Sequence, residues 1–122
     1  MTETGQNILQ YFVGDDKNIT VTLYDEDGPE GGNLIPIVGC KFTWVIYNKT
    51  TKTILLTKTS DSGEITIDVG NSQITIIMDR DDTLNITPKT YLHECEMLDN
   101  NGHYSTMFTG EIQFLLSKAN NA

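Results

Sequence analysis

Residues 89–116 read KTYLHECEMLDNNGHYSTMFTGEIQFLL, and the alternation inside this stretch decides the fold. Tyr91, His93, Cys95 and Met97 fall on one parity and Glu94 and Glu96 on the other, the period of two that sends alternate side chains to opposite faces of a sheet. Asp99-Asn100-Asn101-Gly102 then offers a sharp reversal, with Gly102 free to take the positive φ that closes a type I turn with a bulge. The chain is predicted to double back there. Its return strand puts Ile112, Phe114 and Leu116 inside and Glu111 and Gln113 outside.

The same period runs through the sequence upstream. Ile19, Val21 and Leu23 alternate with Thr20, Thr22 and Tyr24. Val38 to Asn48 sets Cys40, Phe42, Trp44 and Ile46 on one parity with Val45 and Tyr47 partly apolar on the other, which predicts a central strand with Trp44 in the core. Thr53 to Thr59 is a short strand. Ile65, Ile67 and Val69 alternate with Glu64, Thr66 and Asp68; Gly70-Asn71 turns the chain, and Ile74, Ile76 and Met78 continue on the next strand. Asp25 to Asn33, DEDGPEGGN, is predicted as a long exposed loop. Asp79 to Thr83 is an acidic corner with a short helical turn around Asp81 to Asn85, and Leu84 to Pro88 is a crossing segment. Short strands at roughly eight-to-twelve-residue spacing, without a helical period, specify an all-β antiparallel sandwich of seven or eight strands.

A chain of 122 residues forms one domain around a single core. No apolar run approaches the roughly 20 residues that a bilayer requires, and MTETGQNILQYFVG lacks the basic and apolar regions of an export signal, so folding in a cytosol is expected. Eight basic against 17 acidic residues give a net charge of −9, a field that repels phosphate backbones and anionic lipid. Neither nucleic acid nor membrane is an expected partner.

Three regions follow: an N-terminal arm or edge strand over 1–17, the sandwich over 18–117, and a flexible tail over 118–122. Ile8, Leu9, Tyr11, Phe12 and Val13 cluster in the arm and must be covered, either as an edge strand of their own domain or against a neighbouring subunit. Leu9, Tyr11, Phe12 and Val13 are therefore the candidate interface residues.

Reactive machinery is not visible. His93 and His103 are the only neutral-pH bases, one on a core parity and one just after a turn, and no serine or cysteine stands in a nucleophile motif. No catalytic residue, cofactor or metal is expected. Asp25, Asp27 and Glu30 on one loop and Asp79, Asp81 and Asp82 on another would suit calcium if the loops met, although DEDGPE lacks EF-hand spacing. Cys40 and Cys95 are either bridged across the core or two buried thiols, and the lack of an export signal favours thiols.

From Asp82 onward the order of features resembles an immunoglobulin-like domain of tailed-bacteriophage virion proteins, similar to the N-terminal domain of baseplate upper proteins. The shared features are Asp82-Thr83, Tyr91 opening a strand, Glu94 to Met97, Asp99 to Gly102 in the turn, and Gly110-Glu111-Ile112-Gln113-Phe114. Upstream, Ile19 to Tyr24, Gly39 before Lys41-Phe42-Thr43-Trp44, and Gly63-Glu64-Ile65-Thr66-Ile67 occupy matching places. Thr90 stands where the family has a glycine, Cys95 where it has a leucine, and the segment from Asp-Thr to Tyr is longer. The resemblance implies an immunoglobulin-like sandwich in which Tyr91 bonds to upstream backbone. It also implies a non-enzymatic structural subunit of the virion, folded in the host cytoplasm before assembly. Such a subunit of tail, baseplate, neck or capsid cement or decoration docks on other virion proteins and forms a homo-oligomer in the particle. The alternative is a stand-alone carbohydrate- or surface-binding module in which Tyr24, Tyr47 or Tyr104 stacks on a ligand.

Overall fold

The computed structural model describes residues 8–24 and 33–116. The predicted 25–33 loop, apart from Asn33, and the tail beyond Leu116 lie outside the described residues, as do residues 1–7. Within them the chain forms β1 (Ile8–Phe12), β2 (Ile19–Thr22), β3 (Lys41–Tyr47), β4 (Ile54–Thr59), β5 (Ile65–Asp68), β6 (Gln73–Ile76), β7 (Thr90–Leu98) and β8 (Tyr104–Leu115). One sheet runs in the order β1-β8-β7-β3-β4 and the other β2-β6-β5. Their inner faces enclose Phe42, Trp44, Ile46, Ile74, Ile76, Ile112 and Phe114, all essentially inaccessible to water. The fold is an all-β immunoglobulin-like sandwich.

The hairpin forms as its turn chemistry dictates. Gly102 takes φ +83°. Its N–H donates to the Asp99 carbonyl at 3.1 Å, while the Asp99 N–H donates to the His103 carbonyl at 3.0 Å. The Asp99 carboxylate also accepts from the Asn101 and His103 N–H groups, both at 2.9 Å. Tyr91 donates its hydroxyl to the Thr87 carbonyl at 2.8 Å, a tyrosine-corner bond to upstream backbone.

Two expected inward side chains point elsewhere. Leu116 is 58% exposed because β8 ends at Leu115. Val69 leaves the alternation because the chain curls into a 3-10 turn over Val69–Asn71, capped by the Asp68 side chain. At the acidic corner a single helical turn, α1 (Arg80–Thr83), is closed reciprocally by Asp79 and Asp82.

The arm belongs to its own domain in this structure. β1 pairs with β8 in parallel, Leu9 opposite Ile112 and Tyr11 opposite Phe114, whereas every other strand pair is antiparallel. The link that follows is clamped to the α1 corner: Gly14 N–H donates to Thr83 Oγ1 at 2.8 Å, Arg80 N–H to Asp16 Oδ1 at 2.8 Å, and Met78 N–H to Asn18 Oδ1 at 2.9 Å. Tyr11 closes the same link, its hydroxyl accepting from the Lys17 N–H at 3.0 Å.

Lys58 breaks the binary pattern. On β4 it faces inward at 4% exposure, and its Nζ lies 2.7 Å from Asp82 Oδ2 and 3.7 Å from Glu64 Oε2. An edge strand of one sheet is thereby tied to the corner that follows the other.

Cys40 and Cys95 are both buried free thiols. Cys40 lies just ahead of β3 rather than across the core from Cys95, because β3 pairs with β7 and sets Trp44, not Cys40, opposite Cys95. Four residues of strand rise separate the two, about 13 Å, well beyond disulfide reach.

Candidate docking surface

The longest strand is only half covered. β7 pairs with β8 from Tyr104 to Gln113, but β1 joins the other side only from Glu111 to Leu115. From Tyr104 to Gly110 the outer side has no strand partner among the described residues. The direction of its backbone groups follows from alternation. Phe114 N–H donates to the Lys89 carbonyl on the β7 side, so Ile112, Gly110 and Phe108 face β7 as well. Thr109 faces outward.

Beside this edge the two sheets part to leave an apolar groove of about 450 Å³. Trp44, His93 and Phe108 form its floor, with Leu9, Ile19 and Val21 along its walls. His93 is 9% exposed and fits because Gly110 is its partner across the strands: a Cβ there would lie 3.2 Å from His93 Nε2. The Trp44 indole Nε1–H donates to His93 Nδ1 at 3.1 Å, which leaves the neutral ring carrying its proton on Nε2. Both Trp44 and Phe108 meet the imidazole edge-on, with centroids 5.9 and 5.8 Å away. Burial pushes the His93 pKa down to about 4. The ring is neutral at pH 7.

Cys95, next along the same face of β7, is a protonated thiol; burial, with help from the Glu96 charge, raises its pKa to about 12. A thiol so placed is a packing group rather than a nucleophile.

The four residues expected to form an interface are divided. Leu9 is half-buried in the groove wall, Tyr11 and Val13 lie in the core of their own domain, and Phe12 is 43% exposed. Contact through all four requires β1 to leave its sheet, since the parallel pairing with β8 turns Tyr11 inward against Phe114.

The tyrosines do not form one ligand platform. Tyr24 bridges to Leu34, Tyr47 donates its hydroxyl to Glu94 Oε1 at 3.4 Å, and Tyr104 is 66% exposed. Tyr47 lies opposite Leu92 and Tyr104 opposite Leu98, so six residues of β7 rise, about 20 Å, part them. Asp25, Asp27 and Glu30 lie outside the described residues. Two of the described acids are engaged structurally: Asp79 caps α1 and Asp82 binds Lys58 and the Asp79 N–H.

No family model matches the chain, and no curated protein matches it. Among solved structures it is similar to CopC from Methylosinus trichosporium OB3b, at 10% identity over 90% of this chain and 87% of that one, with a TM-score of 0.45. It is also similar to murine CRIg, at 12% identity over 91% of this chain and 92% of that one, with a TM-score of 0.39. A chain of the complex of ICOS with ICOS-L and an anti ICOS-L VNAR domain matches at 9% identity over 89% of this chain and 53% of that one, with a TM-score of 0.36. Likenesses at this level carry no argument about ligand or partner.

Proposed function

We propose that this chain is a non-enzymatic structural subunit of a tailed-bacteriophage particle that works by docking on other virion proteins. One observation carries the docking half: the outer edge of β8 from Tyr104 to Gly110, without a strand partner among the described residues, lies beside an apolar groove, a pairing that suits strand addition. The groups nearest to a catalytic role support the same reading. His93 is held neutral under an indole and Cys95 is held protonated, so each serves packing. The virion half rests on the family resemblance over Asp82 to Phe114.

Gradient-purified particles from cells infected by the phage that encodes the chain test this directly. The subunit is expected in the particle fraction at a fixed whole-number ratio to the other virion proteins, resistant to a high-salt wash. Recovery only from the soluble lysate overturns the proposal.

A further inference from the structure

We propose that the outer edge of β8 from Tyr104 to Gly110 receives an extended segment of a partner protein, apolar at alternate residues and basic at those between. This rests on the docking reading above and names its occupant. The edge runs over seven residues matched to six of β7, about 20 Å, because β8 bulges at Met107, and the Thr109 backbone groups are directed outward. Side chains on the inner parity of an added strand enter the groove over Trp44, His93 and Phe108, whose lining is mainly apolar.

The other parity meets acids. On the outer face, cross-strand pairing lines up Thr43, Glu96 and Thr106 in one row and Val45, Glu94 and Thr109 in the next. Each glutamate therefore lies one strand in from the edge, two spacings or about 10 Å from an incoming backbone. Short threonines stand between. A lysine or arginine on the added strand spans that distance over the threonine, and the net charge of −9 draws a basic segment in.

The same charges argue against two nearer occupants. A second copy would bring its own Glu94 and Glu96 to the edge and another −9 of charge. The chain's own first seven residues, MTETGQN, carry Glu3 and no large apolar residue besides Met1, so they have little with which to fill the groove.

Trp44 is the only tryptophan and lines the groove, so its emission reports occupancy. The probe is the acetylated, amidated peptide Lys-Val-Lys-Val-Lys-Val-Lys, titrated into the full chain, with the Glu-Val peptide of the same length as control. Expected is a saturable shift in Trp44 emission with the lysine peptide alone. Thr109→Pro, which removes an outward-facing N–H and no ladder bond to β7, should weaken it about tenfold. The surface pair Glu94→Lys and Glu96→Lys, which leaves the backbone unaltered, should reverse the preference between peptides. The proposal is overturned by no emission change in the unaltered chain or by equal binding of both peptides. It is equally overturned by a self-associated dimer in sedimentation, or by binding seen only after residues 1–7 are deleted. Particle incorporation separates the two claims. A Thr109→Pro chain that assembles as well as the unaltered one refutes the edge as the site while docking stands, and an unaltered chain missing from particles refutes docking itself.

Discussion

Trp44 donates its indole N–H to the Nδ1 of His93 across 3.1 Å of buried space, and this bond fixes the floor of the apolar groove beside β8. It joins β3 to β7 at the level where β8 carries Gly110.

The first prediction concerns pH. His93 titrates near 4 in the folded chain and near 6.5 when unfolded, so the unfolded state binds more protons between those values. Stability is full above pH 6.5 and falls as the pH drops towards 4, by about 3 kcal/mol from this group. His93→Gln, which keeps an acceptor for the indole, should flatten that slope. Urea unfolding of both chains at intervals from pH 4.5 to 7.5 measures the difference, and parallel curves would count against the assignment.

A second prediction tests the pairing of His93 with Gly110. Gly110→Val pushes a side chain into the space held by Nε2, which should cost about 2 kcal/mol. Combined with His93→Ala, the valine gains room. The double variant should lose clearly less than the sum of the two single losses, a coupling that denaturant titration of all four chains reads out.

Lys58 supplies a third. Asp82→Ala leaves the buried ammonium with only the more distant Glu64 carboxylate, at 3.7 Å, and loses a cap, for an expected loss of about 3 kcal/mol. Lys58→Met replaces the charge with an apolar side chain of similar length, so its cost should be well under half as large. Equal losses from the two variants would show that the ion pair itself is the stabilising element.

Thiol accounting gives a fourth. Cys95 is wholly buried and its thiol pKa stands near 12, so the native chain should leave it unmodified by an aromatic disulfide reagent while guanidinium exposes both thiols. Oxidising conditions should not lower the mass of the native chain by two hydrogens, because strand register holds Cys40 and Cys95 apart.

Much of this architecture is legible in single strands and little of it between them. The alternation of Tyr91, His93, Cys95 and Met97 and the Asp99–Gly102 turn are local, so they can be read residue by residue and the structure matches them. Partner choice is not local. Nothing in ILQYF states that β1 lies parallel to β8, and with that pairing unknown Tyr11 and Val13 are as readily given to a neighbour as to their own core. Lys58 reads as a surface residue until the fold brings Asp82 to it. The groove depends on register, since only the match of His93 with Gly110 shows why a histidine fits there. A glycine on a strand opposite a histidine was the available signal.

A reconstruction of the assembled particle around this subunit tests the central claim most directly. The account predicts a partner strand within hydrogen-bonding distance of the outer side of β8 between Tyr104 and Gly110, with apolar side chains lying over Trp44 and His93. An edge left open to solvent, with the subunit held through other faces, would contradict it.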